Sequence, residues 1–195
     1  TFSSTPSWTQ VATGVGDGGF GSSIAVGRFY NASGPVVVAV GAPSETPPGK
    51  PAQAGRARLF TAAAGGFPAN NGAANQNLDG TAAGDNLGTS LTNAGNLVQT
   101  SYTGDCLAVG APQPTKTPPS TDGGFVRIYR PAGTAVGLNS TFRGNTTPGC
   151  QSSFGTSVSN VGNVDGGQRD DLVVGAPDCH VPDDGGSAFL LISNA

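Results

Sequence analysis

Few side chains in this sequence are equipped for chemistry. The single histidine, His180, lies in Asp178-Cys179-His180-Val181-Pro182-Asp183-Asp184, where an imidazole beside carboxylates could ligate a metal or act as a general base. Nothing accompanies it as a nucleophile. The chain has no G-x-S-x-G elbow, phosphate-binding loop, CxxC pair or H-E-x-x-H segment. Acidic residues fall in turns such as Asp17-Gly18 and Asp122-Gly123, so no carboxylate pair for acid–base work is visible. His180 therefore reads as a solvated loop residue and the protein as a non-enzyme. Cys106, Cys150 and Cys179 are odd in number, so at least one thiol is free or pairs between chains. Sequons begin at Asn31, Asn139 and Asn145, acceptor sites for a glycoprotein of eukaryotic source.

Any such residues must be positioned by short strands. The 195 residues include 32 Gly and 15 Pro, enough to raise the question of disorder. Apolar clusters such as Val36-Val37-Val38-Ala39-Val40 and Leu172-Val173-Val174 answer it, since they recur between the Gly-rich stretches as strands between tight turns. Only 11% of residues are charged and the net charge is −3, leaving Ser, Thr, Asn and Gln to solubilise the surface, as in secreted proteins. Nine Lys and Arg are scattered without a basic patch, which argues against nucleic acid as a partner. No apolar run approaches the roughly 18 residues of a membrane span. Thr1 is not a translation start, so the sequence reads as a mature form or a segment of a longer precursor.

The organising feature is a threefold internal repeat. Phe20-Gly21-Ser22-Ser23, Leu87-Gly88-Thr89-Ser90 and Phe154-Gly155-Thr156-Ser157 are spaced 67 residues apart, and each leads to an apolar run ending in Gly-Ala-Pro at Pro43, Pro112 and Pro177. A Gly-led alternating strand follows, at Gly55–Phe60, Gly124–Tyr129 and Gly186–Ile192. A weaker fourth strand precedes the repeat motif, seen at Trp8–Val11 and Leu138–Phe142. Such spacing predicts an all-β array of four-stranded antiparallel units, each a propeller-type blade.

The order of FG, small-residue strand, GAP and G-x-V-x-x-Y resembles the FG-GAP repeats of integrin α-subunit β-propellers. On that resemblance, repeat 1 spans 14–66, repeat 2 spans 67–137 and repeat 3 spans 138–195, with 1–13 an outer strand that completes another blade. The family's first hairpin often carries a calcium loop. In the third repeat Asn163, Asp165, the Arg169 carbonyl and Asp171 match its first, third, seventh and ninth positions, while Gly167 and Gln168 replace a carboxylate and the turn Gly. The loop is thus either a weak calcium site, completed by water or Asp170, or a vestigial hairpin. The family's geometry also places Cys150 and Cys179 on one face, implying a Cys150–Cys179 disulfide and a free Cys106.

Closed propellers need four or more blades, whereas three repeats are present. The resemblance therefore implies a partial or oligomer-completed propeller, joined to other copies in a ring or filament or to further blades of a longer chain. Trp8 and Val11 would lie on the joining strand. The function implied is an extracellular or cell-surface adhesion and assembly module, presenting the Pro-rich loops 44–54, 113–123 and 178–185 to a protein or glycan ligand. The alternative is a carbohydrate- or protein-binding propeller fragment of a larger surface protein or surface enzyme.

Overall fold

A computed structural model describes residues 8–11, 18–62, 72–98, 103–113, 123–144, 153–177 and 185–193. These residues form strands and turns without a helix, so none is long and apolar enough to cross a membrane. The first sheet has the order β1 (Ile24–Gly27), β2 (Val37–Ala42), β3 (Arg56–Thr61) and β4 (Gln76–Asp79). The second has β5 (Ser90–Gly95), β6 (Cys106–Ala111), β7 (Phe125–Pro131) and β8 (Val136–Arg143). The third has β9 (Ser157–Gly162), β10 (Asp171–Ala176) and β11 (Ser187–Leu191). All strand pairings within the sheets are antiparallel.

Local chemistry accounts for the limits of the strands. The second strand of each sheet is built of Val, Leu and Ala and stops at a proline, which has no N–H to continue a ladder. β3 and β7 start after Gly55 and Gly124, whose φ angles of 77° and 84° suit residues without a Cβ. The sheets are offset from the sequence repeats by one strand. β4 lies within 67–137 yet closes the first sheet, and β8 lies largely within 138–195 yet closes the second. Four strands are present in the first and second sheets; the third has three among the described residues. Residues 8–11 carry no strand assignment.

Side chains alternate between a front and a back face of each sheet. The back of the first (Val37, Ala39, Ala57, Leu59, Leu78) packs on the front of the second (Leu91, Leu107, Val109, Phe125, Tyr129) in one buried cluster. The back of the second (Ala108, Val126, Ile128) packs on the front of the third (Phe154, Leu172, Val174), with Phe189 and Leu191 at the margin. Each fully buried Leu or Ile contributes about 1.5–3 kcal/mol by leaving water, so these two layers are the principal source of stability.

The two joints are built alike. β1 lies beside β5 and β5 beside β9. Ser23 Oγ donates to the Gly88 carbonyl at 2.7 Å, and Ser90 Oγ donates to the Gly155 carbonyl at 2.7 Å. A Cβ on Gly41 would strike Gly88 O, and one on Gly110 would strike Gly155 O, so glycine is required where adjacent backbones meet. Single parallel bridges join Gly55 to Leu87 and Gly124 to Phe154. At the opposite edge, the Asp105 N–H donates to Arg28 O at 3.1 Å while its Oδ2 accepts the Arg28 N–H at 2.8 Å. Asp170 repeats this clamp on Asn96, at 3.2 and 2.8 Å.

Candidate functional site: the loop edge and the hairpin edge

The loops after β2 and β6 meet the connections entering the next sheet along one edge. Asn86 N donates to Gln53 O at 3.2 Å, Leu87 N to Ala54 O at 3.1 Å, and Ser153 N to Pro112 O at 3.1 Å. Asp85, 1% exposed, organises this edge: its carboxylate accepts the Thr81 and Ala82 N–H groups at 2.8 Å each and the Gln113 side-chain amide at 2.7 Å. Loop 44–54 is held by its own backbone, with Lys50 N donating to Pro47 O and Ala54 N to Pro51 O, and by Gln53 N on Thr46 Oγ1. Its tip, residues 48–53, is exposed. Of the loops 113–123 and 178–185, only Gln113, Gly123 and Gly185 are described, and His180 lies outside the described residues.

Beneath the tip lies a charge network that reading the sequence missed. Arg56 clasps Asp79 through two hydrogen bonds of 2.6 and 3.0 Å, and both Arg56 and Arg58 reach Glu45 Oε1 at 3.0 Å. Hydrogen bonding to Asp79 raises the Arg56 pKa, so its charge is permanent. Two cations and two carboxylates balance, which suits a structural brace between loop and sheet better than an ion-binding site. Arg at alternate positions 56 and 58 of a half-buried strand was the available signal.

On the hairpin edge, the expected calcium ligands serve the loop's own backbone. Asn163 Oδ1 accepts the Gly166 N–H at 2.9 Å, and Asp165 Oδ1 accepts the Gly167 N–H at 2.7 Å. Asp171, with no solvent exposure, accepts Val164 N and Ser193 N at 2.9 Å each. The hydrogen bond from Ser193, then that from Val164, holds its pKa below the ordinary carboxylate value. Asp170 turns to Asn96 in the neighbouring sheet rather than into the loop. Among the described residues no three His, Cys, Asp or Glu side chains converge as metal ligands. The role of Asp105 and Asp170 was missed too, although both directly precede a second strand.

Cys106 is a buried free thiol whose pKa is raised by burial, whereas Cys150 and Cys179 lie outside the described residues. Asn31 donates its amide N–H to Gly133 O at 2.9 Å. Asn139 is exposed on β8, and Asn145 lies outside the described residues. Trp8 sets its ring edge-on to Phe60 of the first sheet at 5.6 Å, and Val11 is exposed. A cavity of about 350 Å³ opens between β8 and β11, lined by Phe142, Arg169 and Ile192 among others.

No family model matches the chain, and no curated protein sequence matches it significantly.

Proposed function

We propose that the protein is a non-enzymatic, extracellular module of FG-GAP propeller type, in which three blades assemble with other blades and hold a rigid loop edge out for adhesive binding. The observation that carries this reading is the duplicated joint: the same serine, glycine and aspartate contacts connect the first sheet to the second and the second to the third. A joint that repeats at fixed sequence spacing adds units by nearest-neighbour contacts, as in propellers and solenoids. Inner strands rich in Gly, Ser and Ala permit the close approach that a propeller axis demands. The low charge and Ser/Thr/Asn-rich surface support an extracellular setting. Trp8 and Val11 belong to the joining segment: Trp8 stands 12 residues before Phe20, as Phe142 of the outer strand β8 stands 12 before Phe154.

The binding role is tested on immobilised matrix proteins and glycans, comparing wild type with a variant whose Pro48, Lys50 and Gln53 are replaced by glycine or serine. The expected result is binding by wild type that is lost in the variant while circular dichroism stays the same. Binding that survives the replacement, or no binding to any surface tested, overturns the loop-edge assignment.

A further inference from the structure

Positions matched by ladder register have opposite fates in different sheets. Ala39, Ala108 and Val173 correspond, as do Ala57, Val126 and Ala188, and Leu59, Ile128 and Leu190. In the first two sheets these back-face residues are fully buried, whereas Leu190 is 49% exposed. Val161, 39% exposed on β9, alternates onto the same face. The front of the first sheet shows the complementary gap. Ile24 is 60% and Val26 51% exposed, yet Leu91, the counterpart of Ile24 in the second sheet, is 8% exposed, and Val158, its counterpart in the third, is partly buried.

The glycines record the same asymmetry. Gly41 and Gly110 are each blocked by a carbonyl of the next sheet, but at Gly175 an added Cβ would meet only the rotatable Ser157 side chain, its own neighbour. Gly88 and Gly155 are crowded by Arg56 O at 2.5 Å and Phe125 O at 2.7 Å, while Gly21 has nothing within 4 Å. Both halves of the joint are thus carried by one chain: the back of the third sheet is open at Leu190, and the front of the first, where Trp8 and Phe20 pack on Phe60, is open at Ile24 and Val26.

We propose that the back of the third sheet docks on the front of the first sheet of a second copy, repeating the internal joint. This rests on the propeller reading above. Ser157 Oγ would donate to the partner's Gly21 carbonyl, Gly186 would bridge the partner's Phe20, and Val173 and Leu190 would cover the partner's Ile24 and Val26. The occupant is another copy because the exposed residues match, position by position, the two sides of a contact this chain already makes twice. The docked joint differs in one respect. Val36 and Val26 stand where Asp105 and Asn93 stand in the second sheet, so the contact is apolar and lacks the aspartate clamp. It is therefore weaker than the internal joints and dissociates on dilution.

Sedimentation velocity of the 195-residue chain over a wide dilution range tests this, with Gly175→Val and Leu190→Lys as variants. The expected result is a species of at least twice the 19.1 kDa monomer mass in wild type, a monomer in both variants, and melting curves that show both variants folded. A wild type that stays monomeric throughout overturns the second-copy proposal, as does association that neither variant reduces. Gly110→Val reports separately on the underlying reading: if it is as stable as wild type, the repeated joint itself is wrong, whatever the assembly state.

Discussion

The second and third hairpins place different atoms in the same slot. Register aligns Cys106 with Asp171, each opposite the glycine that ends the preceding strand, Gly95 and Gly162. Both are completely buried. The Cys106 sulfur accepts backbone N–H groups of Leu97 and Val98, and the Asp171 carboxylate accepts those of Val164 and Asp165, which follow 67 residues later. The first sheet fills the slot with Val37. The difference teaches that a residue matching a calcium-loop position serves here as the acceptor that ties a hairpin to its sheet, a task a thiol also performs.

The second hairpin has a further support, the Asp170 clamp, which exists only because the third sheet stands against it. The largest expected effect comes from removing that contact altogether. Gly110→Val drives a side chain into Gly155 O, and loss of the cooperative near-ultraviolet melting transition is expected, since overpacking against backbone cannot relax by rotamer change. Next is Asp171→Ala, which leaves the Val164 and Ser193 N–H groups without their acceptor; a lower denaturant midpoint is expected, well below that of Cys106→Ala.

The Asp171 charge adds a pH signature. Its folded-state pKa is depressed, so its contribution is fully present above the ordinary carboxylate pKa and disappears as pH falls through the lowered folded value. Asp171→Asn should therefore flatten the acid limb of a stability–pH curve measured by urea unfolding, while Cys106→Ser leaves that limb as it is. Asp170→Ala should cost about 1–3 kcal/mol, the usual penalty for orphaning a backbone donor, and should raise amide hydrogen exchange at Asn96 rather than at Val164. The smallest effect is expected at Asp165→Ala, within about 0.5 kcal/mol for an exposed turn residue. Measured with calcium and with chelator, it also sharpens the comparison: a calcium-induced rise in melting temperature that this substitution abolishes would give the third hairpin a ligand role that the second lacks.

Much of the strand architecture is legible because its signals are local. Phe20, Leu87 and Phe154, the three GAP tripeptides and the glycines 55, 124 and 186 mark where strands begin and end through period, proline and φ preference. β4 was illegible. Gln76-Asn77-Leu78-Asp79 has no apolar alternation, and it is a strand because β3 offers it a ladder and Leu78 a buried place between sheets. Trp8–Val11 shows the converse, a promising pattern that is not a strand in the single chain. Asp170 likewise looked like a neighbour of the hairpin ligands, whereas its carboxylate faces Asn96, 74 positions earlier in the chain.

The sequence by itself determined the repeat, the all-β class and the residues of each second and third strand, because periodicity, turns and proline act over a few residues. Only the tertiary structure decided which sheet each fourth strand joins, which carboxylates act as clamps and which glycines are sterically required. These depend on what stands opposite: Gly110 and Gly175 follow the same motif, and one is crowded by the backbone of the next sheet while the other meets only Ser157 of its own sheet.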